Sequence, residues 1–193
     1  EAITPDAVGP KTTKNTMVTR HLVEKMPEHF GMMRRVSVVQ SGVLGTTGIE
    51  TADFIKAVVD KLHPDVVIVV DALASRRMAR ICRTVQLADT GIIPGSGVGN
   101  TRAAINRHTL GVPVFAIGVP TVVDAATLAA DLIQEAGIRD IEPEDLSRHG
   151  NTMIVTPKDI DANVADIGKL LGYGINLALH GDISIEDMNM FIS

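Results

Sequence analysis

The sequence predicts an α/β domain, with a mostly parallel central sheet flanked by helices, spanning residues 1–193 as one unit. Two apolar runs and the segments around them carry that expectation. DVVIVV at 65–70 and VPVFAIG at 112–118 are short, β-branched and without polar alternation. Runs of that kind suit strands covered on both faces, as in a parallel sheet. Around them, apolar residues recur at helical spacing, and strands alternating with helices of this length give a layered α/β fold.

Each further element has its own signal. At 49–62, Ile49, Ala52, Ile55, Val58, Val59 and Leu62 form one stripe, with Glu50, Lys56, Asp60 and Lys61 facing away; this predicts an amphipathic helix. Residues 121–136 repeat the pattern. A long helix is expected over 158–180, with Thr156 as N-cap and Pro157 in the first turn. Gly172 and Gly174 are expected to break or bend it. RVSVVQ at 35–40 and the segment 82–87 are weaker strand candidates, and 137–151 reads as a surface connection. The sequence has neither an internal repeat nor a low-complexity region.

Composition narrows the function. The 193 residues are 45% hydrophobic, which suits a packed core and not a disordered chain. Aromatics are 3%, without Trp, so stacking platforms for single-stranded nucleic acid are not expected. Eighteen basic against 23 acidic side chains give a net charge of −5, which argues against a polyanion-binding surface and a nucleic-acid partner. The cluster Arg76, Arg77, Arg80 and Arg83 reads first as a solvated face, with an anionic contact as the alternative. Cys82 is the single cysteine, so the chain forms no internal disulfide, in keeping with a reducing compartment. It is expected as a buried thiol in a strand instead of a nucleophile. The longest apolar run, 66–70, is far shorter than the ~20 residues of a membrane span, and no signal peptide is visible. The chain opens at Glu1-Ala2-Ile3 without an initiator methionine, as a processed chain or a piece of a longer one would.

Asp71 is the sharpest chemical position. It follows the run 66–70 directly and is expected at the carboxyl end of a central parallel strand, where α/β sheets collect ligands and reacting groups. An N-cap for a helix starting at Ala72 is an equally good reading. Asp6 lies among Pro5, Gly9 and Pro10, a loop that reads as an ordinary turn before it reads as a carboxylate mount. The loop GSGVGN at 95–100 is spaced G-x-G-x-G, unlike a dinucleotide or P-loop signature. It suits backbone N–H groups approaching a substrate or an oxyanion. The Asp89-Thr90-Gly91 triplet matches all-β aspartic proteases, which need two such triplets; its single occurrence here reads as coincidence. Six histidines form no short metal-ligand pattern, and His180 suits a helix cap better than a ligand. No G-x-S-x-G elbow occurs.

Several runs, in one order along nearly the whole chain, carry a resemblance. They are TPDAVGP at 4–10, VTRHL at 18–22, GVLGTTGIET at 42–51, DALA at 71–74 and DTGIIPGSGVGN at 89–100. TLGVP at 109–113, IGVPTVVDA at 117–125, MIVTPK at 153–158 and GINLALH at 174–180 complete the series. Together they resemble the germination protease family of spore-forming bacteria. The resemblance implies an endopeptidase that starts the breakdown of small acid-soluble spore proteins, made as a zymogen, working as a homotetramer in the cytoplasm of the spore core, with no cofactor. It implies an atypical aspartic mechanism and a fold similar to that of hydrogenase-maturation endopeptidases. The family's catalytic aspartates match Asp6 in Thr4-Pro5-Asp6 and Asp71 in Val70-Asp71-Ala72-Leu73-Ala74, where Val70 replaces the family's Ile. Glu50, Gly97, Asn100 and Asp124 fall in other matched runs and are expected to face or support the substrate. The family's first strand and Gly-rich turn before T-P-D are absent, and the connection from Asp124 to Met153 is shorter; the chain is expected to lack its propeptide and first strand. Two other readings are a metal-assisted relative, which needs a His beside Asp6 and Asp71, and a non-catalytic spore-protein binding module using the 95–100 loop as a cradle.

Overall fold

The computed structural model describes residues 5–42, 44–96, 102–138, 141–146 and 153–192. After a 3-10 turn at Pro5–Ala7 come α1 (Val8–Lys14), α2 (Arg20–Lys25), α3 (Pro27–Phe30), α4 (Leu44–Thr47) and α5 (Thr51–Leu62). Then follow β1 (Val67–Ser75), a second 3-10 turn at Met78–Arg80, β2 (Gln86–Ala88), α6 (Arg107–Leu110) and β3 (Val114–Asp124). The chain continues with α7 (Ala125–Glu135), α8 (Pro143–Leu146), β4 (Ile154–Val155), α9 (Ile160–Leu179) and α10 (Ile185–Ile192).

Both apolar runs are strands, and both extend past their apolar parts. β1 pairs parallel with β3 from Val67↔Val114 to Ser75↔Val123, with one register shift after Leu73. β2 and β4 each pair antiparallel with β3. The sheet is mixed: a long parallel centre carries short antiparallel additions. Successive side chains of a strand point to opposite faces, and β1 feeds two cores in that way. Val70 and Ala72 pack with Val8, Val119, Ile160, Val164 and Leu171 beneath α1 and α9. Val67 and Val69 pack with Ala52, Val59, Ile105, Leu110 and Val114 beneath α5 and α6.

Several expectations change on folding. Segment 35–40 is irregular; Val36 serves instead as an anchor, its carbonyl accepting from the N–H groups of Thr19 and Arg20. Cys82 is not in a strand. It sits in a turn at φ 54°, half-buried, and its N–H donates to the Pro120 carbonyl at 2.7 Å. Burial, and then the nearby Asp159 carboxylate, push its thiol up. The helix expected at 121–136 starts at Ala125, because Thr121, Val122 and Val123 remain in the sheet. α9 starts at Ile160, so neither Thr156 nor Pro157 caps it; the Thr156 hydroxyl donates to the Thr121 carbonyl. Gly172 and Gly174 leave α9 unbroken. The His180 ring is buried at the end of α9, and neither nitrogen has a partner among the described residues, so the ring does not cap.

Candidate active site

Asp71 lies in the middle of β1, neither at its end nor capping a helix, since Ala72, Leu73, Ala74 and Ser75 continue the strand. Its register partner is Gly118 of β3, and a Cβ at Gly118 would stand 2.3 Å from Leu73 Cδ1. The absent side chain at 118 is thus what lets Leu73 lean across the neighbouring strand beside Asp71. The carboxylate is largely buried, and its Oδ1 accepts from the Ala72 N–H at 3.0 Å. Burial pushes the Asp71 carboxyl above its ordinary value; the Ala72 N–H opposes the shift and the charge on Asp6 adds to it.

That last contribution puts Asp6 within electrostatic reach of Asp71. Asp6 is exposed on the 3-10 turn Pro5–Ala7. The turn is seated by Ala7 and Val8 on the α1–α9 core. At Gly9 the helix backbone approaches β1 so closely that a Cβ would stand 2.9 Å from the Val70 carbonyl oxygen. Position 9 therefore sets α1, and the turn ahead of it, against the residue immediately before Asp71. The glycine in the run at 4–10 has a packing role that local turn chemistry did not reveal.

Asp71 opens into a cleft of about 350 Å³ that follows β1 to Ser75 and is bounded by Arg76, Arg80, Ile93 and Ser96. Two of the four arginines read as a solvated face thus border the cleft. The opposite bank is held by a two-way bridge between Ile92 and Ile105, with N–H···O distances of 2.9 and 2.8 Å. Gly91, at φ 80°, allows the approach, since a Cβ there would stand 2.1 Å from the Ile105 carbonyl oxygen. This backbone role belongs to the third residue of the Asp89-Thr90-Gly91 triplet.

The remaining candidates divide. Glu50 precedes α5, and its Oε1 accepts from the Ala103 N–H at 3.2 Å, tying the segment before Ile105 to that helix. Asp124 caps α7, its Oδ1 accepting from the N–H groups of Ala126 and Thr127. The structure puts neither among the residues bounding the Asp71 cleft. Gly97 and Asn100 lie outside the described residues. Among the described residues, no group of three or more His, Cys, Asp or Glu side chains is arranged to hold a metal ion. No helix among them is long and apolar enough to cross a membrane.

A germination protease family model matches residues 1–136 and 133–192. The chain belongs to the germination protease family. It is 44% identical to the germination protease of Clostridium tetani over 216 aligned residues, covering 99% of this chain and 67% of that protein. The germination protease of Caldanaerobacter subterraneus is also 44% identical, with 98% and 66% covered. That of Bacillus subtilis is 38% identical over 244 aligned residues, again with 98% and 66% covered. The chain thus spans about two-thirds of the length of these curated relatives.

Proposed function

We propose that the protein is a spore-germination endopeptidase in which Asp6 and Asp71 activate water against a peptide bond. The observation that carries this reading is a largely buried carboxyl, Asp71, opening into a cleft and raised further by the charge of a second carboxylate, Asp6. Two carboxyl groups so placed do not both ionise cheaply, and their different surroundings divide the work. Burial favours the protonated form of Asp71, so Asp71 donates to the scissile carbonyl oxygen. Asp6, facing solvent, takes the proton from the attacking water. The water oxygen bonds to the carbonyl carbon, giving a neutral tetrahedral diol. Collapse returns a hydroxyl proton to Asp71, Asp6 protonates the leaving nitrogen, and the C–N bond breaks. Both carboxyl groups end as they began.

Family membership supports small acid-soluble spore proteins as the substrates, the spore core as the setting and a homotetramer as the assembly. Glu50 and Asp124 act through the loop and the helix they hold, outside the reaction itself. The test is digestion of a small acid-soluble spore protein by the full-length processed protein, with cut sites read by mass spectrometry. Asp71→Asn keeps the side-chain volume and the acceptor for Ala72, and is expected to lower kcat by about 10²–10⁴-fold, the usual contribution of a positioned acid or base. Cleavage by a folded Asp71→Asn variant at the parent rate would remove Asp71 from the mechanism.

A further inference from the structure

Asp131 is the one charged residue that α7 buries, 7% exposed, and both its oxygens are engaged. Oδ2 accepts from the Met78 N–H at 2.8 Å, and Oδ1 accepts from Nη1 of Arg77 at 3.0 Å. The Arg77 side chain is 60% exposed, so solvent screens the ion pair and its charge adds little stability. What remains is geometry. Ser75 brackets the same turn, its hydroxyl donating to the Arg77 carbonyl at 2.6 Å and accepting from the Arg77 N–H at 3.2 Å. Arg76 lies between these two holds, and the 3-10 turn that carries Arg80 starts from the second, at Met78. Arg80 is a shared wall. On one side it borders the Asp71 cleft; on the other it borders a second cleft of about 330 Å³, which Asp131 and Gln134 also line.

We infer that Asp131 is a positioning residue for substrate binding: through Met78 and Arg77 it holds the turn after β1 so that Arg76 and Arg80 form the far bank of the Asp71 cleft. The inference rests on the reading of that cleft as the proteolytic site. Arg80 stands beyond the end of β1, away from the reacting carboxyl groups, so its contacts act equally on bound substrate and transition state. Loss of contacts of that kind raises KM and leaves kcat unchanged. An apolar residue at 131 fills the space but leaves the Met78 N–H without its acceptor, while the exposed Arg77 head group stays in water, so the change loosens the turn and leaves no charge buried alone.

The experiment is a double-variant cycle in the full-length processed protein, with cleavage of a small acid-soluble spore protein followed under steady-state conditions. Asp131→Ala is expected to raise KM about tenfold with kcat within about twofold of the parent. Asp131→Asn, which still offers Met78 an acceptor, is expected to recover most of that loss. Arg80→Ala should raise KM to a similar degree, and the double variant should be no worse than the poorer single one, because both remove the same bank. Multiplied effects in the double variant, or a fall in kcat at constant KM, would overturn the inference. Should Asp131→Ala not fold, Asp131→Leu keeps the volume and carries the same cycle. The whole set is repeated as binding of intact substrate, by fluorescence anisotropy, in the Asp71→Asn background. There the Asp131–Arg80 coupling stands or falls by itself, whereas continued cutting by Asp71→Asn alone sinks only the catalytic pair.

Discussion

Asp71 is held under conditions that oppose its charge, and a stability measurement can read that opposition. A carboxyl whose folded value lies above its unfolded value binds its proton more tightly in the folded chain. Stability then falls as pH rises through the interval between the ordinary value, 3.8, and the raised one, and at neutral pH the ionised group destabilises the fold. Asn at this position has no charge to desolvate. Asp71→Asn is therefore expected to melt higher than the parent near neutral pH, with the gap closing as pH is lowered toward 3.8. Thermal melts followed by circular dichroism over that range check it, and a gap independent of pH would mean that the buried charge is not its source. The pattern of a variant that is more stable and less active is common where function needs a strained group. The sequence made Asp71 conspicuous and left its setting ambiguous. Ala72, Leu73 and Ala74 are good helix formers, and what keeps them extended is pairing with Val119, Pro120 and Val122 far along the chain. Local propensity cannot register such a partner.

Two glycines of α9 show how an element's neighbours decide the meaning of its residues. A Cβ at Gly172 would stand 2.6 Å from Asn15 Cβ and 2.7 Å from the Asn15 carbonyl oxygen, and one at Gly168 would stand 2.4 Å from Lys11 Cβ. One turn apart, these residues let α1 lie close against α9. Asn176, one turn further on, locks the crossing: its Oδ1 accepts from the Met17 N–H and its amide donates to the Asn15 carbonyl. Gly174 faces solvent, with nothing within 4 Å of where a Cβ would be. Replacing it by Ala should raise stability by about 1 kcal/mol, the ordinary helix-propensity difference. Gly172→Ala gains the same propensity but meets fixed backbone, and overpacking should make it a net loss of about 1–3 kcal/mol. Urea titrations of both variants check the contrast, and a stabilised Gly172→Ala would mean that α1 can move away from α9 at no cost. From the sequence alone Gly172 and Gly174 looked alike, each a helix breaker. The distinction lies in α1, whose docking also seats the turn bearing Asp6.

At the scale of the molecule, the parallel pair β1–β3 is what the two halves of the core share. The α1–α9 cluster and the α5–α6 cluster use alternate side chains of the same strands. Opening either half alone strips one face of the sheet while the other still holds it, so β1 and β3 should open last. That much follows from the two apolar runs, which made both strands legible. The mixed character of the sheet was not legible, because Gln86–Ala88 and Ile154–Val155 are too short to show a period. The cleft bank at Met78–Arg80 has a different standing. It is an exposed 3-10 turn held largely by Asp131 and Ser75. Hydrogen–deuterium exchange on the full-length protein should find the slowest amides in Val67–Ser75 and Val114–Asp124, with the Met78–Arg80 amides exchanging well before them. If the turn instead exchanges with the strands, the bank opens only with the whole domain, and substrate entry must work within a rigid cleft. If α9 outlasts both strands, the sheet is not the unit on which the two core halves depend, and the seat of Asp6 is firmer than that of Asp71.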